Sequence, residues 1–154
     1  MQDVVIAQEN PRQDDVIALI LTLDAFHEGL YPPEANHHLD LDTLCAPEIE
    51  FLVARRGQAI MGMGALWLRQ GQDFGEVKRM FVSQEARGQG VGAKLLSAIE
   101  QIAREHGIYR LMLETGTLNE GALALYRSTG YRTRGPFAGY PDHPLSVFME
   151  KTLS

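Results

Sequence analysis

The chain has 154 residues, 45% of them hydrophobic and 22% charged, the size and composition of one globular domain that buries roughly two thirds of its unfolded surface. A formal charge of −6 argues against a nucleic-acid partner, because a local basic patch would have to overcome long-range repulsion from the phosphate backbone. No apolar run approaches the ~20 residues of a membrane helix, and residues 1–5 lack the basic-then-apolar pattern of a secretory signal, so no membrane partner and a cytoplasmic location are expected.

In chain order, residues 4–7 read as a short buried strand, and residues 10–14 as a loop ending in a helix cap. Val16, Ile17, Ile20, Leu23 and Phe26 then recur at helical spacing up to Gly29. Tyr31, Pro32 and Pro33 cannot continue that helix, and residues 39–44 suit a short second one. The lone Cys45 excludes an internal disulfide or a multi-cysteine zinc site and is expected as a small half-buried hydrophobe. Strand signals follow at 50–55, 59–68 and 76–82, separated by turns around Gly57 and Gly71, which implies two hairpins. A strong helix then carries Val91, Leu95, Leu96, Ile99, Ile102 and Ala103 on one face, with Gly107 as its stop. Residues 111–114 form a strand, 119–128 a helix closed by Gly130, and 146–150 a last strand. The fold class expected is α+β, with a single domain over 1–154 and a mostly antiparallel sheet containing one central parallel pair.

Gly88, Gly90 and Gly92 alternate immediately before the strong helix. Its first N–H groups have no intrahelical acceptor, and together with the helix dipole they form an anion site that glycine leaves open to close approach. Arg87 adds a guanidinium suited to a bidentate grip on phosphate. The alternative is that these glycines only shape a tight loop. A P-loop is excluded, because Lys94 is preceded by Ala93 and followed by Leu95. A dinucleotide fingerprint fits residues 88–93 in letters, but five residues separate the strand from the first glycine, where that fold turns at once.

The run from Glu76 to Tyr131 resembles the GNAT superfamily of N-acetyltransferases. Arg87-x-x-Gly90-x-Gly92 matches that family's cofactor signature after a strand and opening a helix. Residues 119–131, with Asn119, Ala122, Leu125, Tyr126, Gly130 and Tyr131, are similar to its second signature. The resemblance implies acetyl-coenzyme A as cosubstrate, held by Arg87, Gly88, Gln89, Gly90, Val91, Gly92 and Ala93. It also implies a bulge that splays the strand before the glycine loop from its parallel neighbour, with Met80, Phe81 and Val82 beside the thioester and Asn119 on the pantetheine arm.

Transfer of acetyl to an amine needs a proton acceptor for the ammonium and a proton donor for the departing thiolate. Tyr126 resembles the family's general acid; read without that resemblance, it is a core aromatic at helical spacing with Ala122 and Leu123. Glu76 is the expected base, with Glu114 as substitute, and the bulge leaves open which face of the sheet Glu76, Lys78 and Arg79 occupy. The resemblance further implies that residues 30–38 and 136–143 wall the acceptor, expected to be a small-molecule primary amine, one form of which carries a carboxylate for Lys78 or Arg79. Adjacent His37 and His38 point apart, and no metal site is expected. Acetylation of a protein N-terminus or lysine, a non-catalytic acyl-coenzyme A module and a dinucleotide oxidoreductase are the competing readings, and a homodimer is a candidate assembly.

Overall fold

The computed structural model describes residues 3–33 and 40–154; the expectations for His37 and His38 lie outside the described residues. The elements are strand β1 (Val4–Gln8), helices α1 (Asp14–Leu30) and α2 (Leu41–Leu44), and strands β2 (Ile49–Arg56), β3 (Ala59–Trp67) and β4 (Gly75–Val82). Helix α3 (Val91–Glu105), strand β5 (Arg110–Gly116), helix α4 (Glu120–Ser128) and strands β6 (Arg132–Arg134) and β7 (Ser146–Thr152) complete the chain. The architecture is the expected α+β. One seven-stranded sheet runs in the order β1-β2-β3-β4-β5-β7-β6, antiparallel throughout except for β4 against β5. Among the described residues no helix is long and apolar enough to cross a membrane.

Each face of the sheet carries its own core. On one, α3 lays Leu95, Leu96 and Ile99 against Leu52, Leu66, Val77 and Leu111. On the other, α1 packs Val16, Ile20 and Leu23 over Phe51, Val53, Met63 and Ala65. The alternation of 51 and 53 against 52 and 54 is the period of a strand buried on both faces, and each such Leu or Ile contributes about 1.5–3 kcal/mol. Glu100, on the inward face of α3, is compensated by Lys151 at 3.0 Å and by the Tyr131 hydroxyl at 3.3 Å.

Several local readings are corrected. Helix α1 starts at Asp14, with Gln13 at the N-cap and no side-chain cap bond, because the Gln13 amide turns back to Glu9 and to the Asn10 carbonyl. It runs through Gly29 to Leu30 and stops where Tyr31 becomes extended, φ −130°, as the residue before Pro32 must. Cys45 is exposed, since it caps α2 just beyond Leu44, the last buried residue of that helix. Strand β6 was not anticipated: its Arg-Thr-Arg is too short and too polar to register as a strand.

The feature that shapes the molecule lies on β4. It pairs with β5 only at Gly75 with Leu111 and Glu76 with Met112, and beyond Glu76 the strands part. On its other edge the register jumps, with Lys78 opposite Ala65 but Phe81 opposite Met63. One extra residue is accommodated at Arg79, whose φ is +57°, a β-bulge that turns the strand away from its parallel neighbour.

Candidate active site

The loop between β4 and α3 places Gly88 and Gly90 at φ +79° and +78°, a region where side chains are strained. An added Cβ at either would meet no atom within 4 Å, so open groove lies beside them. Gly92 does a different job: its Cβ would lie 2.8 Å from Leu125 Cδ2, so its glycine lets α3 and α4 approach closely. Among the described residues the backbone N–H groups of 88–93 have no acceptor in the protein, and the first bond of the helix runs from Lys94 N–H to the Gly90 carbonyl at 3.1 Å. A row of unpaired donors at a helix start is a fitting cradle for a pyrophosphate. Arg87 is exposed at its rim, its guanidinium 5.8 Å from the centre of the Phe81 ring.

From this loop a groove of about 400 Å³ runs between α3 and α4, lined by Met80, Phe81, Val82, Arg87, Gly88, Gly90, Val91, Gly92, Ala93, Asn119 and Tyr126. Gln89 does not line it. Its side chain accepts from Arg56 at 2.7 Å and donates to the Glu85 carbonyl at 3.2 Å, facing away from the groove. Phe26 of α1 lines the mouth, 6.4 Å from the Phe81 ring; in the sequence its helical spacing read as core.

A second, smaller cavity of about 90 Å³ occupies the splay between β4 and β5. Leu23, His27 and Tyr31 roof it from the α1 side, and Lys78, Arg79 and Glu114 stand on its strand walls. Met80, Asn119, Ala122 and Tyr126 line both cavities, so the two meet at these residues. Asn119 caps α4, accepting from the Ala122 N–H at 3.3 Å. Tyr126 is 6% exposed, its ring edge-on to Tyr131 at 5.7 Å. Among the described residues its hydroxyl has no hydrogen-bond partner, and burial pushes the phenol well above its usual range, keeping the proton on at neutral pH.

Glu76 is fully buried and lines neither cavity. Its Oε1 accepts from Arg69 Nε at 3.1 Å and Nη2 at 2.6 Å, and its Oε2 from the Tyr140 hydroxyl at 2.7 Å. Lys78 Nζ lies 3.4 Å away and donates to the Tyr140 hydroxyl at 3.1 Å. Burial lowers the Lys78 ammonium from its usual range, opposed by the charges of Glu76 and Glu114. Glu114 does line the small cavity and accepts from Ser146 Oγ at 2.8 Å. Sequence reasoning missed Arg69: it sits at the turn after β3 with φ +46°, its guanidinium stacked on Trp67 at 3.8 Å. Among the described residues no group of three or more His, Cys, Asp or Glu side chains is arranged to hold a metal.

The sequence profile described as the acetyltransferase (GNAT) family matches residues 18–131. The chain is 50% identical over 153 residues to an IAA acetyltransferase of Azospirillum brasilense, covering 99% of this chain and 100% of that one. A solved acyl-CoA N-acyltransferase structure from Klebsiella pneumoniae superposes with a TM-score of 0.81 at 39% identity, covering 98% of each chain. The PaiA N-acetyltransferase of Thermoplasma acidophilum, solved with coenzyme A, shares the fold at a TM-score of 0.73 and 17% identity, over 97% of this chain and 99% of that one.

Proposed function

Given that the chain belongs to the GNAT family of acetyltransferases and takes acetyl-coenzyme A as cosubstrate, we propose that it acetylates the primary amine of a small molecule, with Tyr126 as general acid and Glu114 as the proton acceptor. One observation carries this reading: the long groove behind the glycine loop and the small cavity in the splay share Tyr126. A thioester arriving along the groove and an amine in the cavity meet there. The amine nitrogen attacks the acyl carbon, the carbon–sulfur bond breaks, the sulfur leaves with the proton that Tyr126 holds, and the attacking nitrogen gives up its surplus proton to water, leaving the neutral amide. The phenol is protonated at neutral pH and so ready to donate, and it regains its proton from solvent after product leaves.

The ammonium of the incoming acceptor must first lose a proton. Glu114 stands on the cavity wall, whereas both oxygens of Glu76 are already occupied by Arg69 and Tyr140. Glu76 is therefore assigned the role of a fixed counter-ion for Arg69 and Lys78, holding the latter on the wall. Met80, Phe81 and Val82 carry the unpaired edge of β4 that faces the thioester, and such preorganised backbone dipoles stabilise charge developing on its oxygen. The restricted volume of the cavity favours a small acceptor over a folded protein surface, and the name of the Azospirillum relative, IAA acetyltransferase, is consistent with that.

A panel of small primary amines is incubated with the protein and acetyl-coenzyme A, with free thiol followed continuously and products identified by mass. The expected result is amine-dependent thiol release with a gain of one acetyl group. Acetylation of peptide N-termini or lysines with none of the small amines would overturn the acceptor class.

A further inference from the structure

In a regular strand neighbouring side chains take opposite faces, and a Lys-Arg pair at 78 and 79 would put one cation on each side of the sheet. The bulge at Arg79 cancels that alternation. Val77 belongs to the core under α3, whereas Lys78 reaches Tyr140 and Glu76. Arg79 reaches Asp24 of α1 at 2.7 Å, and Met80 returns to the α3 side, where its sulfur lies 2.5 Å from the position of a Cβ added at Gly64. Two consecutive cations thus stand on the same wall of the small cavity, with the carboxylate of Glu114 on the facing strand.

Arg79 is 6% exposed. Only Nη2 meets Asp24; Nε and Nη1 are buried and without an acceptor among the described residues. A buried donor left unpaired is disfavoured, so the free edge of Arg79 calls for a partner, which a bound ligand or water would supply. The planar fork of a guanidinium matches a carboxylate.

Resting on the acetyl-transfer reading above, we infer that the acceptor bears a carboxylate beside its amine, the carboxylate taken by Arg79 with Lys78 alongside, and the amine presented toward Glu114 and the thioester. The acceptor class is then amino acids and related zwitterions, and Arg79 is the residue that selects them. Arg79 is a specificity residue in this account and takes no part in proton transfer.

The test compares matched acceptors with acetyl-coenzyme A: phenylalanine with phenylalaninamide and phenethylamine, and leucine with leucinamide and 3-methylbutylamine, each kcat/KM corrected for its fraction of free amine. The wild-type protein is expected to favour the carboxylate-bearing member by about 10- to 100-fold, the worth of one charge-assisted contact. Arg79→Gln is expected to bring that ratio toward one, and Arg79→Lys to keep part of it. Equal efficiency with the uncharged partners overturns the inference while leaving amine acetylation intact, and this wild-type comparison holds even if the variants fail to fold. A preference that survives in folded Arg79→Gln also overturns it. Thiol release with no member of either set removes the small-amine reading and this inference together.

Discussion

The Tyr140 hydroxyl donates to Glu76 Oε2 at 2.7 Å, joining residues 64 apart in sequence. This bond anchors the loop between β6 and β7 to the base of the splay, where Glu76 also receives Arg69. Removal of the hydroxyl in Tyr140→Phe leaves one lobe of a fully buried carboxylate without its strongest neutral donor, a loss of about 1–3 kcal/mol. Thermal or urea unfolding measures it. Because Lys78 also donates to that hydroxyl, acceptor KM is expected to rise more than the affinity for acetyl-coenzyme A falls.

Substitutions at the glycine loop separate its jobs. Gly90→Val places a branched side chain at φ +78° and into open groove, so acetyl-coenzyme A, which stabilises the parent by RT ln(1 + [L]/Kd), about 2.7 kcal/mol at 100 Kd, is expected to give no rise in Tm. Gly92→Ala meets the flexible end of Leu125 instead; it is expected to lower Tm slightly and keep the ligand response. A ligand-induced rise in Gly90→Val equal to the parent's would show that the groove is not the cosubstrate site.

Tyr31 is pinned to the turn before α4, its hydroxyl accepting from the Leu118 N–H at 3.1 Å. A Cβ on Gly116 would fall 1.9 Å from that hydroxyl, within bonding overlap, so Gly116→Ala must expel the ring that roofs the small cavity. The expected outcome is a loss of acceptor binding larger than that of Tyr31→Phe, which removes the hydroxyl and keeps the ring. Equal acceptor KM values for the two variants would deny the ring its place.

Much of this was legible in the sequence because it is local. The helix periods, the turn glycines and the run of donors at 88–93 depend on residues within a few positions of each other, and the elements expected from them agree with the observed ones to within a residue or two, β6 alone among the strands having gone unread. The environment of Glu76 was not legible, because its partners lie 7 and 64 positions away, and Arg69 reaches it only through a left-handed turn residue. Nor could the pattern of residues 76–80 reveal which face Lys78 and Arg79 take: a single bulged residue inverts the parity, and its position is decided by the pairing of β4 with β3.

Arg55 bridges Glu9 at 3.0 Å and Asp15 at 2.7 Å, and hydrogen bonding to Arg55 is the largest cause holding both carboxyls below their usual range. Groups with a depressed folded pKa contribute stability that is present above the unfolded value and lost as pH falls through the folded one. Arg55→Met is therefore expected to be less stable than the parent at pH 7, by about 1 kcal/mol for such a partly exposed cluster. The difference should close as the pH is lowered through and below the ordinary carboxylate range. Urea unfolding across pH 2–7 measures it.

The central claim is that Tyr126 donates the proton on which thiolate departure depends, and Tyr126→Phe tests it most directly because the ring and its packing on Tyr131 remain. The measurement is single-turnover acetyl transfer with saturating acceptor across pH, with acetyl-coenzyme A affinity determined alongside. The account predicts a transfer rate lower by about 10²–10⁴-fold, no recovery at high pH, and an affinity for acetyl-coenzyme A close to the parent's. A transfer rate equal to the parent's across the pH range would contradict it and leave Tyr126 as a core aromatic.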